Sequence, residues 1–316
     1  MSQEVLDKAK QSLEKAKSFI FGQDNLLDSI LCALVCEGHL LIEGMPGLGK
    51  TMSVSTMSRL CDLAFKRIQF TPDLLPSDLI GTMIYSQKTE SFTTKFGPIF
   101  TQILLADEIN RSPAKVQAAL LEAMAEKQVT IGDNTHKLSA PFVVLATQNP
   151  IEQEGTYPLP EAQMDRFMMK IHVDYPEFEA EKSILGLKKN FLDDVEATLS
   201  TDDLLQIQEI TEAKYMDEKI KDLIVKIVHA TRPGSQYFNK KYSGVIVAGA
   251  SPRACQWLYK VSKFQAFLDG SDYVTPEHVL RVVPDVLGHR MILSYEATLD
   301  NLNSRDVSLE IAKSII

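Results

Sequence analysis

The sequence predicts an α/β fold: a parallel β-sheet covered by helices, followed by a second domain made of helices. A glycine-rich loop at residues 44–51 stands between an apolar run and a segment that can continue as a helix. Apolar runs at 99–106 and 141–147 have the uninterrupted character of strands that are buried on both faces of a parallel sheet. In the remainder of the chain only helical patterns recur. We therefore expect one domain at 1–176 and a helical domain at 177–316.

The composition is that of a globular protein that can bury a sizeable core. Hydrophobic residues make up 45% of the 316 positions and charged residues 24%. The net charge of −9 provides no basic surface, so general nucleic-acid binding is not expected. A helicase is not excluded, because a basic pore loop needs few lysines. The four cysteines form no CxxC pair and predict no zinc site.

The sequence also predicts a cytoplasmic protein without a membrane partner. No apolar run approaches the ~18 residues of a membrane-spanning helix. The N-terminus has neither the charged nor the apolar region of a signal peptide.

Two helices are expected before the glycine-rich loop. Residues 3–18 place apolar side chains between charges at helical spacing, and residues 25–36 form a second, more apolar segment. A turn at residues 20–23 joins these two helices. Such a turn is most simply a connector, but its place just before a phosphate loop would also allow contact with an adenine ring. The residues of this turn are Ile20, Phe21, Gly22 and Gln23.

The glycine-rich loop has the residue types and flanks of a phosphate-binding P-loop. Its glycines let the backbone turn tightly and bring N–H groups close to phosphate oxygens, and the start of the next helix adds partial positive charge. Lys50 can then reach the β and γ phosphates of ATP, while the Thr51 hydroxyl can ligate Mg²⁺. The alternative is a plain glycine turn with an unrelated surface lysine. The expected nucleotide contacts are Gly44, Met45, Pro46, Gly47, Leu48, Gly49, Lys50, Thr51 and Met52.

After the P-loop helix, the pattern predicts a strand, a short helix and two hairpins. The strand covers residues 65–70, and the helix lies at 71–79, interrupted by Pro76. Hairpins are expected at 82–96 and 128–138, because apolar and polar residues alternate on both sides of a polar turn. The first hairpin is not expected to contribute to the hydrophobic core, so it is a candidate for contact with a partner.

Asp107 and Glu108 follow the apolar run at 99–106, a strand that we expect to lie beside the P-loop strand. Ligands bind at the carboxyl ends of strands in open α/β sheets, so both carboxylates would face the nucleotide. We assign Asp107 to Mg²⁺ through its water shell and Glu108 to polarising the attacking water. A carboxylate pair that caps the next helix, for which Ser112 and Pro113 provide a start signal, is the alternative.

Asn149 ends the run at 141–147. If that strand lies between the P-loop strand and the Asp107 strand, the amide would face the γ-phosphate and the water. An Asn-Pro pair by itself more often marks the start of a turn.

A loop at 152–160, a short helix at 161–167 and a last strand at 168–173 complete the first domain. The short helix carries Arg166, and a helix of the second domain carries Arg253 in its first turn. A surface salt bridge is the simplest role for either arginine. A cation at a helix N-terminus is electrostatically unfavourable, so an anionic partner is expected for Arg253. Helices of the second domain are expected at 179–192, 201–215, 217–230, 252–268 and 276–287.

Five motifs together closely resemble those of the MoxR family of AAA+ ATPases, in the same order and over nearly the whole chain. The resemblance implies a five-stranded parallel αβα core followed by an all-helical lid. It further implies that ATP with Mg²⁺ binds between core and lid, in a homo-oligomeric ring that is usually hexameric. Family partners are protein clients, often with a von Willebrand factor A domain and sometimes in metal-cofactor insertion. The motifs lie at residues 44–51, 104–111, 146–150, 155–167 and 249–254.

The resemblance also implies roles for single residues. The P-loop corresponds to Walker A, Asp107 and Glu108 to Walker B, and Asn149 to sensor 1. Arg166 resembles the arginine finger that enters the neighbouring subunit's site, and Arg253 resembles sensor 2, which reaches the γ-phosphate from the lid.

Three further segments match family features. Residues 20–23 resemble the adenine-side box, and the two hairpins resemble insertions that face the pore of the ring. Arg111 follows Walker B at a place that could also reach an interface.

Three functions remain open at this point. The complete catalytic set and the acidic composition favour an ATPase that remodels a protein client. A nucleic-acid motor is the second hypothesis, because related AAA+ helicases carry the same two hairpins, and salt-dependent DNA binding would support it. A scaffold that binds ATP with negligible turnover is the third, and it would be unaffected by Glu108→Gln.

Overall fold

The structure is a computed structural model that describes residues 2–88, 90–150, 156–188 and 191–316. The chain divides into two compact units. The sheet unit comprises Gln11–Arg166 and Ile171–Thr201, and the helical unit comprises Met1–Lys10, Phe167–Lys170 and Asp202–Ile316. Within the described residues, no helix combines the length and the apolar character that crossing a membrane requires.

The elements up to residue 184 include the strands of the central sheet, two hairpins and seven helices among the described residues. In chain order they are α1 (Ser2–Lys17), α2 (Asp24–Cys36), β1 (Leu40–Gly44), α3 (Lys50–Leu60), β2 (Phe65–Gln69), α4 (Pro76–Ile80), β3 (Gly81–Ser86), β4 (Ser91–Phe96), β5 (Ile103–Asp107), α5 (Ala114–Glu126), β6 (Gln128–Ile131), β7 (Asn134–Lys137), β8 (Val143–Gln148), α6 (Glu161–Met164), β9 (Met169–Val173) and α7 (Phe178–Ile184).

A five-stranded parallel sheet in the order β2-β5-β8-β1-β9 confirms the predicted core. All five residues of β5 are buried, as are the first five of β8, which explains their uninterrupted apolar sequence. The expectation that the Asp107 strand lies beside the P-loop strand is wrong, because β8 pairs with both β1 and β5. The alternative arrangement, with the Asn149 strand in the middle, is the one observed.

Both hairpins form as antiparallel pairs, β3 with β4 and β6 with β7. Pro76 does not interrupt a helix but begins α4, where its missing N–H costs nothing. Likewise Ser112 does not cap α5: Pro113 occupies the N-cap position, and the Ser112 hydroxyl donates to the Ile109 carbonyl. Thr89 in the first hairpin turn and residues 152–155 of the expected loop lie outside the described residues.

The helical unit contains most of the C-terminal elements. They are α8 (Thr201–Ala213), α9 (Glu218–Ala230), β10 (Ile246–Ala248), α10 (Pro252–Leu268), α11 (Pro276–Leu287), β11 (Ile292–Leu293), α12 (Tyr295–Leu299) and α13 (Ser304–Ile315). The short antiparallel pair β10–β11 and the last two helices were not predicted. The helix expected at 179–192 is shorter, because α7 ends at Ile184 and a 3₁₀ turn follows at Phe191–Asp194.

Candidate functional site

The P-loop follows β1 and leads directly into α3 within the sheet unit. Gly47 and Gly49 adopt φ values of 83° and 80°, a left-handed conformation that favours glycine. Gly44 needs its small size for another reason, since a Cβ atom there would lie 2.7 Å from the Val173 carbonyl oxygen. The glycines at positions 47 and 49 therefore favour the loop conformation locally, whereas the neighbouring strand β9 limits the size of the side chain at position 44.

The Lys50 side chain lies over the start of the loop. Its ammonium donates to the carbonyl oxygens of Gly44, at 2.5 Å, and Met45, at 3.1 Å. Burial lowers the pKa of Lys50, and the carboxylates of Asp107, Glu108 and Glu43 oppose this shift. The lysine is thus partly desolvated and surrounded by negative charge, a setting in which a phosphate anion would be a strong partner.

Asp107 is the last residue of β5 and is only 8% exposed. Its Oδ1 accepts a hydrogen bond of 2.6 Å from the Thr147 hydroxyl on β8. Its Oδ2 accepts from Arg67 on β2, at 3.0 Å from Nε and 2.5 Å from a terminal nitrogen. Three adjacent strands therefore determine the orientation of one carboxylate.

Glu108 is held by both backbone and side-chain contacts. Its backbone has φ 56° and donates its N–H to the Thr147 hydroxyl at 2.9 Å. Its Oε2 accepts from Gln69 at 2.7 Å and from Arg111 at 3.0 Å. A non-glycine residue in this conformation stores strain, and such strain occurs preferentially at functional sites.

Asn149 directly follows β8 and is 7% exposed. It lines the same open cleft as the P-loop and the two carboxylates, a cleft of about 330 Å³. The structure thus brings ten predicted site residues of the sheet unit to one place, seven of them from residues 46–52 together with Asp107, Glu108 and Asn149. The cleft is lined by Pro46, Gly47, Leu48, Gly49, Lys50, Thr51, Met52, Arg67, Gln69, Asp107, Glu108, Thr147, Gln148 and Asn149.

The donor groups in the cleft fit a nucleoside triphosphate with Mg²⁺. The glycine-rich backbone and Lys50 suit phosphate oxygens. The Thr51 hydroxyl and the Asp107 carboxylate are hard oxygen ligands, which Mg²⁺ prefers directly or through water.

The predicted adenine-side residues form a turn between α1 and α2. Ile20 and Gln23 are buried, Phe21 is half-buried and Gly22 is exposed with φ 76°. The Gln23 amide donates to the Asp174 carbonyl at 3.1 Å, and a Cβ on Gly22 would lie 2.8 Å from the Cβ of Pro176. This turn is therefore packed against the segment after β9, but it does not line the cleft described above.

The two predicted arginines lie in different units. Arg166 follows α6 in the sheet unit, is half-buried, and donates to the Leu121 carbonyl on α5 at 2.8 Å. Arg253 lies in the helical unit, is exposed, and occupies the first turn of α10, where its N–H donates to the Ser251 hydroxyl at 3.2 Å. Arg166 does not line the cleft of the sheet unit.

Four polar cleft residues, Arg67, Gln69, Thr147 and Gln148, were not predicted as site residues from the sequence. Arg67 and Gln69 alternate along β2, and Gln69 lies opposite Asp107 in the strand register. Their spacing of two residues on a strand indicates that both side chains lie on the same face of the sheet. Which residues they contact, however, depends on β2 being the neighbour of β5. Thr147 ends an apolar run, so only the sheet order reveals its contacts.

Comparisons with known proteins match both parts of the chain. A model described as "ATPase family associated with various cellular activities (AAA)" matches residues 39–169, and an AAA lid domain model matches residues 244–311. Chaperone MoxR1 from Mycobacterium tuberculosis is 44% identical over 306 residues, which cover 97% of this chain and 81% of that protein.

Two further similarities agree with these matches. Protein MoxR from Methylorubrum extorquens is 29% identical over 90% of this chain and 87% of its own length. A crystal structure of a candidate ATPase from Cytophaga hutchinsonii superimposes with a TM-score of 0.91 at 46% identity, covering 99% of this chain and 95% of the other.

Proposed function

Because this chain belongs to the MoxR family of AAA+ ATPases and is an ATPase, we propose that it hydrolyses Mg-ATP at the subunit interfaces of a homo-oligomeric, hexameric ring. The ring would use the nucleotide cycle to remodel or activate a protein client in the cytoplasm. We take residues 1–176 as the nucleotide-binding core and 177–316 as the lid whose movement transmits the nucleotide state.

The observation that supports a shared site is the set of cations in the cleft. Among the described residues that line it, the cations are Lys50 and Arg67, and Arg67 is already bound to Asp107. Phosphoryl transfer develops charge that enzymes of this kind neutralise with an additional arginine. Arg166 is suited to this role in a neighbouring subunit, because one described hydrogen bond engages only part of its five-donor guanidinium.

The remaining roles follow from the geometry and from the family. Lys50 would bind the β and γ phosphates, while Thr51 and Asp107 would hold Mg²⁺, which supplies charge neutralisation when bound. Glu108 would accept hydrogen bonding from the attacking water, and Asn149 would orient that water or the γ-phosphate. Arg253 would reach the γ-phosphate from the lid of the same chain. The turn at 20–23 would contact adenine.

A complementation assay tests the shared site. Arg166→Ala should lower the ATPase rate per subunit by about 10³ to 10⁵. The matched control is Arg59→Ala, because Arg59 is an exposed arginine of the same unit that faces Asp193. Lys50→Met should abolish hydrolysis in its own site while keeping the finger.

Mixing the two inactive variants should restore activity, because a Lys50→Met subunit can offer Arg166 to the intact site of its neighbour. A wild-type rate that does not rise with protein concentration, or mixtures as inactive as their components, would contradict the shared site.

The client can be approached with a variant that binds ATP but does not hydrolyse it. Glu108→Gln keeps the size of the side chain and removes the carboxylate, so ATP-loaded complexes should retain a client that wild type releases. We expect a protein with a von Willebrand factor A domain. Retention that is equal with Lys50→Met, which should not bind ATP, would show that capture is not nucleotide-dependent.

A further inference from the structure

Arg67 makes a contact that the catalytic roles above do not use. It lies on β2, the edge strand of the sheet, opposite Leu105 on β5. Its guanidinium donates two N–H groups to Asp107 Oδ2, at 3.0 and 2.5 Å. The Asp107 side chain is 12% exposed, whereas the Arg67 side chain is 49% exposed.

The hydrogen bonds to Asp107 occupy most of its acceptor capacity. An ionised carboxylate offers about four lone-pair sites. Arg67 takes two on Oδ2, and the Thr147 hydroxyl takes one on Oδ1. About one acceptor site therefore remains, on Oδ1, and the carboxylate is prevented from rotating.

We propose that Arg67 is a positioning residue for Mg²⁺: it fixes the Asp107 carboxylate so that its remaining Oδ1 site can accept from the metal's water shell. This inference rests on the proposed nucleotide site. Partners that orient a metal-binding carboxylate in this way change metal affinity by about 10–100-fold when removed.

Arg67 also has an opposing effect, since its positive charge repels Mg²⁺. Half of the Arg67 side chain is in water, where charge interactions are strongly screened. Asp107 is buried, so losing two of its three donors would leave it both disordered and poorly solvated. We therefore expect orientation to outweigh repulsion, and removal of Arg67 to weaken Mg²⁺ binding.

Two substitutions separate geometry from charge. Arg67→Gln removes the charge and the paired donors together. Arg67→Lys keeps the charge as a single ammonium, which cannot place two N–H donors from different nitrogens on Asp107 Oδ2. If Arg67 acts by positioning, both variants bind Mg²⁺ more weakly. If it acted by charge repulsion, Arg67→Lys would resemble wild type and Arg67→Gln would bind Mg²⁺ more tightly.

The test is equilibrium binding of a fluorescent ATP analogue to the full chain, in EDTA and across a Mg²⁺ titration. Folding of each variant is checked by circular dichroism and thermal unfolding. Lys66→Gln, an exposed neighbour on β2, is the matched control. We expect unchanged affinity in EDTA, a Mg²⁺ half-saturation point raised by about 10–100-fold for Arg67→Gln and Arg67→Lys, and wild-type behaviour for Lys66→Gln.

The outcomes distinguish this inference from the proposed function. If wild type fails to bind the analogue, or its binding ignores Mg²⁺, the proposed site itself is wrong. If wild type responds to Mg²⁺ and the Arg67 variants respond at the same or a lower concentration, the positioning role is refuted. Should Arg67→Gln fail to fold, Arg67→Lys decides the question, because it keeps the charge that balances Asp107.

Discussion

The Thr147 hydroxyl connects the neighbouring residues Asp107 and Glu108, so its removal should be costly. It donates to Asp107 Oδ1 at 2.6 Å and accepts from the Glu108 N–H at 2.9 Å, and Thr147 is 1% exposed. Thr147→Val keeps the shape of the side chain and removes both bonds. A hydrogen bond to a charged group contributes about 1.5–3 kcal/mol, and an unsatisfied buried N–H costs about 1–3 kcal/mol.

The net loss should be smaller than the sum of these terms. Glu108 is only half-buried, so water can partly satisfy its N–H, and the extra methyl group of valine adds favourable burial of about 1 kcal/mol. We expect Thr147→Val to destabilise the protein by about 2–4 kcal/mol, lowering the melting temperature by roughly 5–15 °C. Differential scanning calorimetry would measure this, because it resolves the two units if they unfold separately.

Thr147→Ser is the matched control. Serine keeps the hydroxyl and loses one buried methyl group, at a cost of about 1 kcal/mol. If Thr147→Val proves as stable as Thr147→Ser, the hydroxyl does not contribute as its contacts indicate, and the reasoning is refuted.

Three further predictions follow from single residues of the sheet unit. Burial lowers the pKa of His39 to about 4, so the unfolded chain binds a proton at this residue more tightly than the folded chain does. About 3 kcal/mol of the free energy of unfolding should therefore be lost as the pH falls from 6.5 to 4. In urea titrations over this pH range, His39→Gln should lose less stability than the wild type. Lys50→Met should abolish nucleotide binding in calorimetry. It should not destabilise the ligand-free protein at neutral pH, because burial lowers the pKa of Lys50 and the charged side chain is therefore unfavourable in the folded state. A variant less stable than wild type would contradict this. Gly44→Ala should cost about 3 kcal/mol, the upper end for overpacking, because its Cβ would lie 2.7 Å from the Val173 carbonyl oxygen and 2.9 Å from the Val173 Cβ. Gly47→Ala, which meets open space, should cost only about 1–2 kcal/mol of backbone strain, and equal thermal shifts would exclude the clash.

The sequence by itself determined the P-loop, the buried strands and the hairpins. These features depend on short-range physics: glycine conformations at positions 47 and 49, uninterrupted apolar runs, and alternation on both sides of a polar turn. The order of the motifs was also sufficient to identify the family, because each functional group occupies a fixed place along the chain.

Only the tertiary structure decided which strands are neighbours and which side chains meet. The insertion of β8 between β1 and β5 brings Thr147 against Asp107, and the placement of β2 beside β5 brings Arg67 there as well. Residues 67, 107 and 147 are separated by 40 positions at each step. Local propensity contains no information about such pairings, because burial of apolar strands on one sheet is compatible with several strand orders.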